Sequence, residues 1–248
     1  MRPIHNAIEL IEALSVAQPA GVTMLSQITG MPRSTAQRVL MSLHEAGWIE
    51  YADEKRRDWR LSLRALTVSG RAITGQMMIR NIALPVMEEL RRSTEETIHL
   101  MVRQDNHVVL LERLDGILPV NQFRPLGSDA LMLTTATGRA ILARLDPDEA
   151  EKIIRDNVKE AELPDDVVEE SRLRIRLGRD VGYALTQGTH RAAIGAVAAA
   201  IIDAQGTPFA AVSASGPLSR MDKSRCENYG PRLADAANRI SMGIRWTS

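Results

Sequence analysis

The stretch from Met31 to Glu50 constrains the fold most, because it reads as a short helix followed by a turn and a strand. Pro32 fixes φ where a helix begins and sacrifices no backbone hydrogen bond there. The apolar residues recur at the spacing of one buried stripe: Ala36, Val39, Leu40 and Leu43. The opposite face carries side chains that form hydrogen bonds: Arg33, Ser34, Thr35, Gln37 and Arg38. A helix with these two faces is typical of those that enter a DNA major groove.

Two helical patterns precede this stretch. Residues 4–16 form an apolar stripe that stops at residues 19–21, PAG. A second short helix is predicted from about Thr23, its N-cap, with Leu25 and Ile28 facing inward. Gly30 breaks that helix before Pro32 starts the next. Two short helices joined by a tight turn that contains glycine predict a helix-turn-helix unit.

A β-hairpin is predicted directly after the helix-turn-helix. Two strand-like segments, residues 48–51 and 58–61, flank a polar turn over residues 52–57. A hairpin in this position is a wing. Its basic residues are placed to reach phosphates or a minor groove: Lys55, Arg56, Arg57 and Arg60.

The charge of residues 1–61 leaves two hypotheses open for this winged helix. Basic and acidic residues are equal in number, whereas a DNA-binding module is often basic, and winged helices also serve as protein-docking modules. However, every basic residue except Arg2 lies from Arg33 onward, on the front of the helix or on the wing. This distribution favours DNA binding.

The composition predicts a cytoplasmic protein that does not enter a membrane. The 248 residues suffice for two domains, and 31 basic residues balance 31 acidic ones. The single Cys226 excludes an intramolecular disulfide and fits a reducing compartment. The sequence has neither an apolar run of 18 residues nor the apolar segment of a signal peptide.

Beyond the wing, the pattern predicts a helical segment and then an α+β domain. The predicted boundaries are 1–62 for the winged helix-turn-helix, 63–95 for a linker with a dimerisation surface, and 96–248 for the second domain. Pro85 is expected to divide the linker into two helices, of which the part after Pro85 fits equally well as a core helix of the second domain. Strands are predicted over residues 98–102, 108–111, 120–124, 183–186, 194–202 and 209–213, and helices over 138–145, from 147, over 165–178 and over 222–244.

The sequence contains no pattern that predicts catalysis. Its five histidines are scattered, and there is neither a metal-ligand spacing nor a nucleophile or phosphate-loop motif. We therefore expect no catalytic residues, no metal and no cofactor. An alternative hypothesis remains, in which the second domain is a small-molecule enzyme or binding protein and the winged helix is its docking module.

Two runs of small residues in the second domain suggest a ligand pocket. Residues 134–139, TTATGR, lie where a strand passes into a helix, and the N–H groups of a helix start favour an anion. Residues 193–200, AIGAVAAA, form a strand with little side-chain bulk, followed by a strand that carries Ser213 and Ser215. Close packing against a helix and a pocket for a small organic acid both explain these runs; the pocket is favoured.

Taken together, these segments resemble the IclR family of bacterial transcriptional regulators over nearly the whole chain. The resemblance rests on PRSTAQRVLMSLHEAGWIE in the first domain, and on GRAILARL, DVGYAL and AAVSASGPLSR in the second. It implies a winged helix-turn-helix, a helical linker and an effector-binding domain similar to GAF and PAS sensors. It also implies a homodimer or homotetramer that binds double-stranded operator DNA and responds to a small organic acid.

The resemblance also implies site residues. Those for DNA would be Arg33, Ser34, Thr35, Gln37, Arg38, Lys55, Arg56 and Arg57. Those for the effector would be Met132, Thr135, Ala136, Thr137, Gly138, Gly195, Ala196, Ser213 and Ser215. Members that bind small 2-oxo acids tend to carry Cys in place of Ala196 and an acidic residue near Thr186, which argues against glyoxylate-like or pyruvate-like effectors. The pair Gly138-Arg139 is more similar to members that sense aromatic acids.

Overall fold

The computed structural model describes residues 2–53, 55–72, 77–117, 125–189 and 193–245. The chain divides into two compact units, Met1–Gly75 and Gln76–Ser248. The predicted linker over residues 63–95 is shared between them, because its first helix belongs to the first unit and its second helix to the second. Among the described residues, no helix is both long enough and apolar enough to cross a membrane.

The first unit is the predicted winged helix-turn-helix, and the structure confirms that architecture. Its elements are α1 (Arg2–Ala17), α2 (Val22–Thr29), α3 (Arg33–Glu45), β1 (Ile49–Asp53), β2 (Asp58–Leu61) and α4 (Leu63–Ala72). The two strands form an antiparallel hairpin. The first three helices pack against one another around a core that includes Leu10, Leu14, Leu25, Leu40 and Trp59. Because the core is apolar and shared by all three helices, the front of α3 is left for other contacts.

Three details of α2 and α3 differ from the sequence prediction. Thr23 does not cap α2; the cap is Gly21, because Ala20 is tied to Trp59 by paired backbone hydrogen bonds and the helix begins directly afterwards. Ile28 is exposed rather than inward, since α2 buries only Leu25 among its apolar residues. Pro32 occupies the N-cap of α3 and not its first helical position.

The second unit is built on an antiparallel sheet, which confirms the predicted α+β class. Its described strands are β3 (Thr97–Gln104), β4 (His107–Leu114), β5 (Asp129–Leu131), β6 (Ala184–Gln187), β7 (Ile194–Ile202) and β8 (Pro208–Pro217). They are ordered β5-β4-β3-β8-β7-β6. The strand predicted over residues 120–124 lies outside the described residues.

Helices cover both faces of this sheet. The remaining elements are α5 (Met77–Thr94), α6 (Ala136–Leu142), α7 (Pro147–Ala161), α8 (Asp165–Val181) and α9 (Lys223–Arg245). One core joins α5 and α9 to one face, and a second core joins α6, α7 and α8 to the other. These two layers leave the side chains of each strand alternately in one core or the other.

The sequence predicts that Pro85 divides the linker into two helices, and this prediction is wrong. Pro85 lies inside α5. Its ring is exposed, while Ala83, Val86 and Met87 on the opposite side are buried in the core shared with α9. Packing of this apolar face compensates for the hydrogen bond that proline cannot donate. The part of the predicted linker after Pro85 is therefore a core helix of the second unit.

Candidate DNA-binding and effector sites

The front of α3 presents the residues that the sequence predicts to contact DNA. Arg33, Ser34 and Arg38 are exposed, and Thr35 and Gln37 are half-buried. Within the described residues neither arginine of this face forms an ion pair. Both guanidinium groups can therefore donate to a phosphate or to a base edge, which are the partners that arginine prefers in DNA.

The first turn of α3 adds backbone donors to the same surface. The N-cap Pro32 has no side chain that accepts a hydrogen bond, and the first turn holds no acidic residue. The first hydrogen bond along the helix runs from Ala36 N to Pro32 O, at 3.0 Å. The earlier N–H groups have no partner within the helix, and this arrangement, together with the helix dipole, favours a phosphate.

The wing has a turn shaped by one carboxylate. Asp53 Oδ1 accepts hydrogen bonds from the backbone N–H groups of Lys55, at 2.8 Å, and of Arg56, at 3.2 Å. The basic side chains predicted to reach DNA are all exposed: Lys55, Arg56 and Arg57. Arg60, predicted to act with them, instead donates from Nε to Glu50 Oε1, at 2.8 Å, on the neighbouring strand. The turn, and not the strand, therefore presents the available positive charge.

An aromatic cluster holds the wing against α3. Tyr51 and Trp59 stack with ring centroids 4.1 Å apart, and His44 of α3 lies 5.2 Å and 5.4 Å from their rings. Trp59 also exchanges two backbone hydrogen bonds with Ala20, at 2.9 Å and 3.0 Å. Since His44 belongs to the helix and the other two rings to the hairpin, these contacts fix the wing relative to the recognition surface.

In the second unit, most residues predicted for the effector lie around the sheet face that α6 covers. Side chains directly opposed across antiparallel strands point to the same side. Two such rows cross this face, and we call them the effector face: Arg113–His99–Ser213–Ala198–Ala184 and Ser215–Ala196–Thr186. Ala136 and Ala140 of α6 pack on the alanines of these rows. Small side chains at these positions let the helix approach the sheet closely.

Two hydroxyl groups of the effector face have no hydrogen-bond partner among the described residues. Ser213 and Thr186 are each only 4% exposed, and neither hydroxyl has a hydrogen-bond partner among the residues that the structure describes. Ser215 Oγ lies 3.4 Å from His99 Nδ1. Hydroxyl groups that make no hydrogen bond within the protein can accept one from a ligand or an ordered water, or donate one to it.

The threonines before α6 are used within the protein. Thr135 Oγ1 accepts a hydrogen bond from Gly138 N, at 3.1 Å, and so caps the helix. The Thr137 hydroxyl donates to Met101 Sδ, at 3.3 Å. The sequence predicts free N–H groups for an anion at this helix start, but that of Gly138 is already satisfied.

Two glycines of the predicted effector set pack on opposite faces of the sheet. A Cβ on Gly138 would lie 2.2 Å from the Cα and carbonyl oxygen of Met132, a buried residue under α6. A Cβ on Gly195 would lie 2.0 Å from the carbonyl oxygen of Met221. Gly195 precedes Ala196 on β7, so it points to the other side of the strand. The structure therefore does not bring Gly195 to the effector face.

Arg139 connects the elements around the effector face from within the core. Its fully buried guanidinium donates to the carbonyls of Leu133, at 2.8 Å, and Leu185, at 3.2 Å, and to Ser171 Oγ, at 2.6 Å. Glu170 Oε2 lies 3.0 Å from its NH2 group. Desolvation lowers the pKa of Arg139 to about 10, against the opposing effect of Glu170, so the side chain is charged at neutral pH.

Two family profiles together match nearly the whole chain. The IclR helix-turn-helix domain matches residues 3–53, and the bacterial transcriptional regulator IclR C-terminal domain matches residues 71–242. The chain belongs to the IclR family of bacterial transcriptional regulators. Its first unit is therefore a DNA-binding domain, and its second is the effector domain of this family.

Individual IclR-family proteins resemble the chain over almost its full length. The transcriptional repressor IclR of Escherichia coli is 24% identical over 98% of this chain and 89% of its own length. A crystal structure of an IclR-family regulator from Brucella abortus has a TM-score of 0.80 at 21% identity and covers 98% of this chain and 93% of its own. That of an IclR homologue from Microbacterium hydrocarbonoxydans, complexed with 4-hydroxybenzoate, has a TM-score of 0.78 at 24% identity and covers 99% and 100%. These relatives are regulators, which disfavours the alternative of an enzyme with a docking module.

Three polar residues of the effector face lie outside the set predicted from the sequence: His99, Arg113 and Thr186. Each occupies a strand whose alternation is visible in the sequence, but the register between strands is not. His99 is opposed to Ser213 across β3 and β8, although the two are more than a hundred residues apart in the chain. The alternation of side chains predicts which residues of one strand point to the same face of the sheet. Which residues of neighbouring strands are opposed depends on the register, and the register is known only from the fold.

Proposed function

We propose that this IclR-family regulator controls a catabolic operon in the cytoplasm and changes its affinity for operator DNA when it binds a small organic or aromatic acid. The observation that carries the proposal is the exposed front of α3 beside the wing, fixed to it by the aromatic cluster. The contacts proposed for DNA are Arg33, Ser34, Thr35, Gln37 and Arg38 on the helix, and Lys55, Arg56 and Arg57 on the wing.

The effector face supports the second half of the proposal. The small, half-exposed Ala196 is directly opposed to Thr186 on one side and to Ser215 on the other, and the hydroxyl of Ser213 lies in the neighbouring row. We propose that the effector contacts this face together with Met132 and the turn from Thr135 to Gly138. The homologue bound to 4-hydroxybenzoate supports an acid as the ligand class.

We expect Arg38→Ala to weaken binding to the operator far more than binding to unrelated DNA. A bidentate contact from arginine to guanine discriminates by about 1–3 kcal/mol, whereas non-specific binding rests on phosphates. The measurement is fluorescence anisotropy, with an operator fragment selected from genomic DNA and a scrambled duplex, at matched salt. Equal weakening for both duplexes would contradict a base-reading role.

The matched control lies on the wing. Arg56→Gln removes one exposed charge from the turn without touching α3. We expect both duplexes to be weakened alike, and the slope of log K against log salt to become shallower by about 0.9 for each phosphate that the protein no longer neutralises. If Arg56→Gln instead changed the preference for the operator over the scrambled duplex, we would conclude that the hairpin, and not α3, reads the bases.

We further propose that the protein is a homodimer or homotetramer, joined in part through the first unit. The supporting observation is a set of exposed apolar side chains on α1 and α4: Ile4, Ile8, Leu63 and Leu66. We expect the double variant Ile8→Glu and Leu66→Glu to sediment as a smaller species and to bind the operator at least about tenfold more weakly, since one half-site gives only part of the contact. An unchanged sedimentation coefficient would reject this surface.

A further inference from the structure

The effector face has an electrically distinct end, formed by Arg113 and His99. These residues are directly opposed on β4 and β3, and His99 is in turn opposed to Ser213. The side chain of Arg113 is only 14% exposed. The other members of the two rows are alanine, serine and threonine. A guanidinium at one end of an otherwise uncharged surface makes that end the natural place for an anion.

The carboxylate beside Arg113 shows what its guanidinium can bind. Asp115 accepts a hydrogen bond from Arg113 NH2, at 3.2 Å, and its Oδ1 lies 2.9 Å from Arg113 Nε, so the guanidinium already forms an ion pair with a carboxylate. Asp115 itself is 72% exposed. An exposed carboxylate is well solvated and contributes little to the pair, so a ligand carboxylate can compete with it for the guanidinium.

Two other groups point to a ligand beside this end. The Ser213 hydroxyl, next to His99 in the row, belongs to a residue only 4% exposed and has no hydrogen-bond partner within the described ranges. His99 Nδ1 lies 3.4 Å from Ser215 Oγ, within reach of the same ligand. The start of α6, where the sequence places the anion, offers less, because Thr135 already accepts from Gly138 N.

We propose that Arg113, with His99 beside it, binds the carboxylate of the effector, while the uncharged body of the ligand extends over Ser213 and Ala196 toward Thr186. This inference rests on the proposed function, since it presumes an acidic effector on this face. It assigns the specificity for an acid to β3 and β4 rather than to the helix start.

The test compares acids with their neutral amides on the full-length protein. The probes are benzoate, 4-hydroxybenzoate, phenylacetate and pyruvate, each with its carboxamide, titrated by calorimetry. We expect Arg113→Gln to bind the acid about 10- to 100-fold more weakly than wild type does, because a charge-assisted hydrogen bond is lost. The weak affinity for the amide should stay unchanged. Arg113→Lys keeps the charge and should retain the preference for acid over amide.

A second variant distinguishes binding of the ligand carboxylate by Arg113 from a purely structural role of Arg113. Asp115→Asn removes the carboxylate that competes for Arg113 and should tighten acid binding by up to about fivefold. Equal acid affinity in wild type and Arg113→Gln, or an equal weakening of acid and amide, overturns the inference and leaves the proposed function standing. Weaker acid binding by Asp115→Asn also overturns it. Failure of every acid to bind wild type overturns both.

Discussion

Replacing Gly138 with alanine is expected to lower the free energy of unfolding of the second unit by about 3 kcal/mol, the upper end of the usual cost of overpacking. In most helices the same change is stabilising, because glycine has a larger entropic cost than alanine. Here the new Cβ would lie 2.2 Å from the Cα and carbonyl oxygen of Met132, which are backbone atoms that cannot rotate away. Either α6 or the segment around Met132 must move. Denaturant unfolding followed by circular dichroism measures the decrease in stability.

The matched control is Gly70→Ala in α4. Gly70 is also helical, but it is exposed, and among the described residues nothing lies within 4 Å of a Cβ placed there. We expect this variant to stabilise the first unit by about 0.5–1 kcal/mol. If Gly138→Ala and Gly70→Ala changed the free energy of unfolding in the same direction, the result would contradict close packing at Gly138. Because Gly138 packs against Met132 and so positions the start of α6, its variant should also bind the effector more weakly.

The sequence is most informative where one local pattern decides the structure. The strand predicted over residues 194–202 is β7, Ile194–Ile202, because a run of small and branched apolar residues bounded by a turn has few alternatives. Pro147 opens α7, with Asp146 as its cap, as proline at a helix start predicts. The apolar stripe of α3 buries Ala36, Leu40 and Leu43. In each case the local preference and the tertiary environment favour the same conformation.

The remainder depends on contacts between segments distant in the chain. The local preference of Pro85 is to end a helix, but packing against α9 outweighs it. Gly195 and Ala196 are small neighbours that the sequence assigns to one site, yet successive residues of a strand face opposite layers. The pairing of His99 with Arg113 and Ser213 requires the register of three strands, which no single segment contains. Local sequence patterns therefore cannot predict the polar end of the effector face.

Replacing Arg139 with methionine is expected to destabilise the second unit by about 3–5 kcal/mol, because three hydrogen bonds of a fully buried guanidinium are lost and each acceptor left unsatisfied costs about 1–3 kcal/mol. Methionine fills similar space but leaves the carbonyls of Leu133 and Leu185 without their side-chain donor, and it leaves Glu170 beside the core without this partner. Arg139→Lys should not restore stability, since one ammonium group cannot reproduce a planar fork that reaches three acceptors. Thermal and denaturant unfolding measure these differences.

Two comparison variants test the cause of that destabilisation. Arg239→Met removes an arginine that also makes two bonds to a carboxylate, Glu89, but on an exposed surface where water replaces the contact, so we expect little change. Glu170→Gln in the Arg139→Met background removes a carboxylate that has lost one of its two arginine partners, Arg174 being the other, and should recover part of the stability. No recovery would mean that the carbonyl acceptors dominate the cost. Since Leu133 precedes the turn before α6 and Leu185 precedes Thr186, the same arginine that stabilises the core also holds two sides of the effector face in place.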